Sequence, residues 1–175
     1  MTMPAAGLHL RPATLDDVPR LKELGVLGWE TTYHDYVSPE NRAAYLAGPF
    51  WSLERLAAVV DDPASLTLVA TTGAEPAAGF LTIEPVETSV VELTRLYVDP
   101  ALRGLGAGAA LFDAARGWSR DHGARTILVN VFADNTGGRR FYERAGCTLI
   151  RLEPTTVGDQ TVADAWYECE VLGSR

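Results

Sequence analysis

The stretch Leu96-Tyr97-Val98-Asp99-Pro100-Ala101-Leu102-Arg103-Gly104-Leu105-Gly106-Ala107-Gly108-Ala109 decides how the rest of the 175-residue chain is read. An apolar, β-branched run ends at Val98, and a helical pattern starts near Gly106. Between them, Gly104, Gly106 and Gly108 free successive backbone N–H groups to point outward. Capped by a helix N-terminus, that arrangement is an anion cradle sized for a pyrophosphate. On the hexapeptide alone, a plain tight turn remains an equal reading.

Working outward, residues 66–71, 77–83 and 90–98 form three extended runs separated by Gly73, Glu75-Pro76 and Glu84-Pro85, which reads as an antiparallel meander. Downstream, Ala107, Leu111, Ala114, Ala115 and Trp118 recur at the spacing of one helix face, and Gly123 stops that helix. Residues 126–132 are the next strand, so the strand at 90–98, the helix and this strand make a right-handed βαβ unit with parallel strands. A short helix from Asn135 to Ala145 is closed by Gly146, and two strands, 147–152 and 162–171, flank a turn at Gly158. Upstream, residues 8–11 read as a strand. Thr14 to Asp17 start a helix carrying Val18, Leu21, Leu24 and Val26, with Pro19 tolerable only in its first turn. A short helix near 40–47 and a Ser52-capped helix through Leu53, Leu56, Val59 and Val60 complete the pattern.

The composition is that of one globular domain, 1–175, of the α/β (α+β) class, with 47% hydrophobic residues to fill a core. A formal net charge of −8 argues against nucleic acid as a partner and favours a cationic small molecule or basic peptide, although an acidic surface also serves plain solubility. Cys147 and Cys169 stand outside any CxxC pair, so reduced, buried thiols of a cytoplasmic protein are expected. The first ten residues lack the pattern of a signal peptide, and no run approaches the length of a membrane span.

The same glycines could belong to a dinucleotide fingerprint, Gly104-x-Gly106-x-x-Ala109. However, Asp99 to Leu102 intervene between the strand end and the first glycine, and the following strand reaches Asn130 without the acidic residue a ribose needs. A nicotinamide-dependent oxidoreductase is therefore disfavoured. A Walker loop lacks its Gly-Lys-Ser/Thr triplet. His9, His34 and His122 are scattered, so no metal site is expected, and no nucleophile elbow supports a Ser-His-Asp triad.

The longer spacing resembles the GNAT N-acyltransferase superfamily, whose acyl-CoA loop reads Arg/Gln-x-x-Gly-x-Gly/Ala after an apolar strand. Arg103, Gly106 and Gly108 match it, Leu96 to Pro100 is a frequent form of that strand's end, and Asn135-x-x-Gly138-x-x-Phe141-Tyr142-Glu143-x-x-Gly146 is similar to the second signature. The likeness covers essentially the whole chain, though residues 28–60 carry little of it. Gly138 stands where the family usually has alanine, and Cys147 where it usually has an aromatic. The resemblance implies a mixed, splayed sheet of about six to seven strands with helices on both faces. It also implies acetyl-CoA as co-substrate without a metal, and an amine-bearing small molecule or peptide as acceptor.

Such a reaction needs a neutral amine, and a lysine-like amine with pKa near ~10.4 is neutral in about one molecule in two thousand at pH 7, a cost of roughly 4 to 5 kcal/mol. Glu92, on the strand that ends at the loop, sits where the histone-acetylating branch places its general base. Its other reading is a solvated or ion-paired strand glutamate, with Arg95 as partner. By the same resemblance Tyr142 protonates the leaving thiolate, a task suited to a phenol that keeps its proton at neutral pH; otherwise it packs in the core with Phe141. A backbone N–H around Tyr97 and Val98 would meet the oxyanion. The pantetheine arm would lie along Leu96, Tyr97 and Val98, and the pyrophosphate on the amides of Arg103, Gly104, Leu105, Gly106, Ala107, Gly108 and Ala109. Asn135 would reach the pantetheine amide or merely cap its helix, and Arg139 or Arg140 the adenosine phosphates unless they form a solvated face.

Trp29, Tyr33 and His34, with Tyr36, Phe50 and Trp51, crowd the irregular region that in this family often shapes the acceptor pocket, and packing over the sheet accounts for each of them equally well. A regulatory domain that binds acyl-CoA without turnover is the competing function. An exposed edge strand near the C-terminus could pair two copies into a homodimer.

Overall fold

The computed structural model describes residues 7–73 and 76–171. Met1 to Ala6, part of the segment read for a leader, and Glu75 of the second turn lie outside them. The strands are β1 (Leu8–Pro12), β2 (Leu66–Thr72), β3 (Gly79–Glu87), β4 (Val90–Val98), β5 (Thr126–Phe132), β6 (Thr148–Val157) and β7 (Gln160–Glu170). The helices are α1 (Val18–Thr32), α2 (Pro39–Ala47), α3 (Leu53–Val60), α4 (Ala107–Asp121) and α5 (Thr136–Arg144).

One seven-stranded sheet runs in the order β1-β2-β3-β4-β5-β7-β6. Strands β2 to β4 form the expected antiparallel meander, β1 extends it by pairing antiparallel with β2, and β4 and β5 are the parallel pair of the βαβ unit. Two apolar clusters fill the two faces. Leu111, Phe112 and Ala115 of α4 and Tyr142 of α5 pack on Leu81, Leu93, Ile127 and Val129, while Leu21, Leu24 and Trp29 of α1 and Leu56 of α3 pack on Val69 and Phe80.

Helix α1 packs tightly through two glycines: a Cβ at Gly25 would stand 2.1 Å from the ring of Trp51, on the 3-10 turn Pro49–Trp51, and one at Gly28 2.4 Å from the Tyr97 ring of β4. Gly25 is thus the condition for burying Trp51 completely, and Gly28 for seating Tyr97 under the helix.

Two expectations from the sequence need correction. Glu84-Pro85 is not a turn: β3 continues to Glu87, and the chain reverses at Ser89, whose φ is 66°. Proline fits there because β2 pairs with β3 only as far as Ile83, so one side of Pro85 faces no strand. Likewise β6 runs on through Pro154 to Val157, on the open edge of the sheet, where Leu149, Ile150 and Leu152 are exposed.

The cysteines are not reduced thiols, because Cys147 and Cys169 form a disulfide that closes a 22-residue separation. The register explains it: Thr148 faces Glu168, so the preceding residue falls opposite Cys169, with the two Cα atoms 4.2 Å apart. Motif spacing cannot reveal such a pair, since it arises from strand register. The bridge removes the cysteine-based argument for a reducing compartment. Loop closure of this length contributes about 3 kcal/mol. Urea unfolding should therefore show a loss of that size when the protein is reduced, and native protein should titrate no free thiol.

Candidate active site

The segment joining β4 to α4 builds the cradle from backbone alone. The Asp99 amide is held by the Ala78 carbonyl at 2.8 Å, and its side chain accepts from the Ala101 N–H at 3.0 Å, fixing a 3-10 turn over Pro100–Leu102. Gly104 and Gly106 then take φ of +84° and +83°, the left-handed region where a side chain is strained. Gly106 is the N-cap of α4 and provides no side-chain oxygen, and the first turn holds no acidic residue. The N–H groups of Ala107, Gly108 and Ala109 accordingly have no acceptor among the described residues. The Arg103 side chain does not enter the cradle. It donates to the Thr31 and Thr32 hydroxyls at 3.3 Å each, tying the loop to the end of α1.

Beside this loop the sheet opens. Strand β4 pairs with β5 only from Val90 to Leu93, against Thr126 to Val129. From Thr94 upward the two strands part, leaving one edge of β4 free along Leu96, Tyr97 and Val98. Thr94 is a bulge: Ile83 faces Leu93 and Thr82 faces Arg95. The extra residue switches the alternation, so Val91 and Leu93 join the α4 face below it, whereas Leu96 and Val98 do so above it. Arg95 and Tyr97 thereby turn toward α1. The Tyr97 ring stacks on Phe80 at 5.8 Å and its hydroxyl accepts from Trp29 Nε1 at 3.1 Å, so only its backbone borders the gap.

Glu92 lies at the foot of the opening, opposite Glu84 on one side and Leu128 on the other. Arg95 does not neutralise it. Glu84 instead collects Arg95 at 3.3 Å, the Thr94 hydroxyl at 2.8 Å, and Arg55. No donor among the described residues reaches the Glu92 carboxylate, and burial, reinforced by the negative charge of Glu84, raises its pKa; Arg151 offsets this in part.

Tyr142 is buried on the α4 face of the sheet, opposite the face that carries Arg95 and Tyr97. Its ring packs against Phe141, Phe112 and Tyr167 at 5.1, 6.0 and 6.2 Å, and burial drives its pKa up, with the Tyr33 hydroxyl adding to the effect. The phenol keeps its proton and remains a donor. Packing and proton donation are thus compatible for this one residue.

Asn135 caps α5, accepting from the Gly138 N–H at 2.9 Å, and its amide also adjoins the Tyr33 hydroxyl. A Cβ at Gly138 would stand 2.8 Å from Asn135 Nδ2 and 2.9 Å from Val131 Cγ2, so this departure from the family's alanine is a packing requirement here. Arg139 turns inward, donating to the Tyr167 hydroxyl at 3.0 Å and the Ala133 carbonyl at 3.4 Å. That leaves Arg140 as the exposed arginine of the pair.

On the α1 face an aromatic group borders the opening. Trp29 stacks on Tyr45 at 4.3 Å, and Tyr33 packs against Trp29 at 4.6 Å and Phe132 at 5.1 Å. Burial pushes the Tyr33 pKa up to about 12, with Asn135 opposing and Tyr45, Asp164 and Arg103 modulating it. His34 does not join this group; it is exposed and its ring pairs with Asp35 at 3.1 Å. The segment between α1 and α2 is latched to the β6–β7 turn: the Ser38 N–H donates to Gln160 Oε1 at 2.6 Å, and Asn41 Nδ2 donates to Asp159 at 2.7 Å.

Sequence reasoning missed Tyr45 of α2 and Asn130, Phe132, Asp164 and Trp166, the last four of which the sheet turns toward this side. The one available signal is an acid within the alternation Val162-x-Asp164-x-Trp166. Among the described residues there is no cluster of three or more His, Cys, Asp or Glu able to hold a metal, and no helix long and apolar enough to cross a membrane.

A backbone anion cradle beside two parallel strands that part is a site able to hold the diphosphate of a nucleotide. The acetyltransferase (GNAT) family model matches residues 29–147, and the chain belongs to that family. It is 34% identical over 151 residues to mycothiol acetyltransferase of Rhodococcus erythropolis, covering 74% of this chain and 50% of that protein. It is 30% identical over 110 residues to an uncharacterised N-acetyltransferase of Mycobacterium bovis, covering 63% and 69%. The chain thus spans about half the length of the first of these relatives. The fold is also that of PaiA N-acetyltransferase from Thermoplasma acidophilum, solved in complex with coenzyme A, with a TM-score of 0.76 at 22% identity over 90% of this chain and 97% of that one.

Proposed function

We propose that this protein is an acetyl-CoA-dependent N-acetyltransferase that acetylates a primary amine of a small molecule or peptide, the amine attacking directly within a ternary complex. The observation that carries this reading is the juxtaposition of two features. An uncapped α4 N-terminus with left-handed Gly104 and Gly106 adjoins a gap in the sheet whose foot holds an unpaired Glu92. Acetyl-CoA supplies an activated acyl group. The chain's own contribution is to bind it through amides from Arg103 to Ala109 and the free edge of β4, with the Asn135 amide at the border of the gap.

Glu92, poised by burial to accept a proton, takes it from the acceptor ammonium directly or through water. Tyr142, held protonated by its apolar shell, donates toward the departing sulfur, and Trp29 and Tyr33 line the acceptor side. The free β4 edge near Tyr97 and Val98 offers main-chain N–H groups to a developing oxyanion.

The test is thiol release from acetyl-CoA across an amine panel. Tyr142→Phe should lower turnover at least tenfold while acetyl-CoA affinity, measured by calorimetry, stays within about threefold, because loss of one proton donor acts on the chemical step. An unaltered rate removes Tyr142 from the mechanism. A wild type that binds acetyl-CoA and acetylates no amine leaves the regulatory reading in its place.

A further inference from the structure

Among the described residues, Asp164 is the one carboxylate on the acceptor side that is both buried, at 7% exposure, and incompletely satisfied. It lies on β7 opposite Phe132 of β5. Asn130 Nδ2 donates to its Oδ2 at 3.2 Å, whereas Oδ1 has no partner. Its charge is felt by the Tyr33 and Tyr45 hydroxyls, which places it at the aromatic group. None of the ion pairs among the described residues includes it. The arginines on that side are engaged elsewhere: Arg95 with Glu84 and Phe50, Arg103 with the α1 threonines, and Arg151, stacked over Trp166 at 4.4 Å, with Glu153. Glu153, its cross-strand neighbour on β6, is a second acid.

Unmet hydrogen-bonding capacity concentrates here. Of the buried side-chain atoms without a partner, Tyr36 Oη and Trp166 Nε1 lie on the same side as Asp164 Oδ1. Tyr36 packs at 6.4 Å from Phe132, and Trp166 faces Asn130 across the ladder. Buried acceptors without donors are rare in folded proteins because each costs its full desolvation, so such an atom beside an opening points to a ligand. Aromatic faces around a carboxylate favour one class of ligand, an ammonium-like cation. The net charge of −8 suits the same class.

Given the acetyltransferase reading above, on which this rests, we propose that Asp164 anchors a second cationic group of the acceptor, so that the preferred substrate is a compact amine bearing two positive charges. One amine reacts beside Glu92 while the other pairs with Asp164. Glu92 stands level with Leu128, and Asp164 level with Phe132. At about 3.3 Å per residue the two levels are roughly 13 Å apart, and the bond to Asn130 draws the carboxylate back toward the reacting end. An unbranched diamine spans that interval. Burial raises the Asp164 pKa in the free protein, as expected of a carboxylate awaiting its counterion.

The test compares α,ω-diamines from 1,3-diaminopropane to 1,8-diaminooctane with monoamines of equal chain length. In the wild type the best diamine should exceed its monoamine at least tenfold in kcat/KM, the advantage lying mainly in KM. In Asp164→Asn and Asp164→Ser that ratio should fall toward one, whereas a merely structural defect lowers both rates and keeps the ratio. A wild type without the preference, or variants that retain it, overturns the anchor. If the wild type binds acetyl-CoA but turns over no amine, the acetyltransferase reading fails separately. Calorimetric titration of the diamine into the CoA-bound protein then decides: affinity at least tenfold weaker in Asp164→Asn supports the anchor, and equal or absent binding overturns it.

Discussion

Gly106→Val abolishes acetyl-CoA binding, with an expected loss of affinity exceeding a hundredfold. The φ of +83° at this residue lies in the region that β-branched side chains tolerate least, at roughly 1–2 kcal/mol for the backbone alone. Relaxing that strain rotates the N-cap and swings the Ala107, Gly108 and Ala109 amides off their common target. Two lost hydrogen bonds to a charged pyrophosphate, at ~1.5–3 kcal/mol each, account for the stated factor. Steric conflict with the protein itself does not enter, because a Cβ at Gly106 meets nothing within 4 Å. Gly123→Ala is the matched control, since Gly123 has φ of +81° at the far end of α4 and also meets nothing within 4 Å. That variant should lose stability by a similar mechanism and keep its affinity in isothermal titration. Equal affinity of Gly106→Val and wild type would falsify the cradle.

Glu92→Gln should reduce kcat by about 10² to 10³, the range of a lost general base. The pH profile gives the sharper readout. A base works only when ionised, so wild-type kcat/KM should fall as pH drops through the raised pKa of Glu92, above the ordinary 4.5, and Glu92→Gln should lack that acid limb. Stability moves the other way. The folded state holds the Glu92 proton more tightly than the unfolded chain, so this residue's contribution to stability declines as pH rises from 4.5 to its folded value. Glu92→Gln should therefore unfold at the same or higher urea concentration than wild type at neutral pH, and a clear loss there would show that the carboxylate serves the fold. A residue that costs stability and supports turnover is the pattern expected of an active site.

The βαβ unit, the glycine loop and the α5 signature were legible because they are local: alternation, helix periodicity and left-handed glycines depend on residues within one or two turns of each other. Helix α4 begins at Ala107 and ends before Gly123 as its periodicity indicates. The candidate site was half legible. Glu92 lies at the foot of the opening and Tyr142 in the core on the α4 face, while Arg139 folds back onto Tyr167 and His34 pairs outward with Asp35. The first diversion has no local cause, since it depends on β7, more than twenty residues away, whereas the second joins sequence neighbours at the outward turn after α1.

By itself the sequence determined the backbone chemistry of this protein: a strand, two glycines obliged to take positive φ, and a helix whose first amides find no cap among the described residues. Tertiary structure alone decided which charges meet. The Thr94 bulge turns Arg95 toward Glu84 and leaves Glu92 unpaired, the β6–β7 register joins Cys147 to Cys169, and the order β5-β7-β6 carries Asp164 to the aromatic group. The reason is that helix periods and turn preferences act over a few residues, whereas pairing across strands depends on register, and a shift of one residue exchanges the two faces of a sheet.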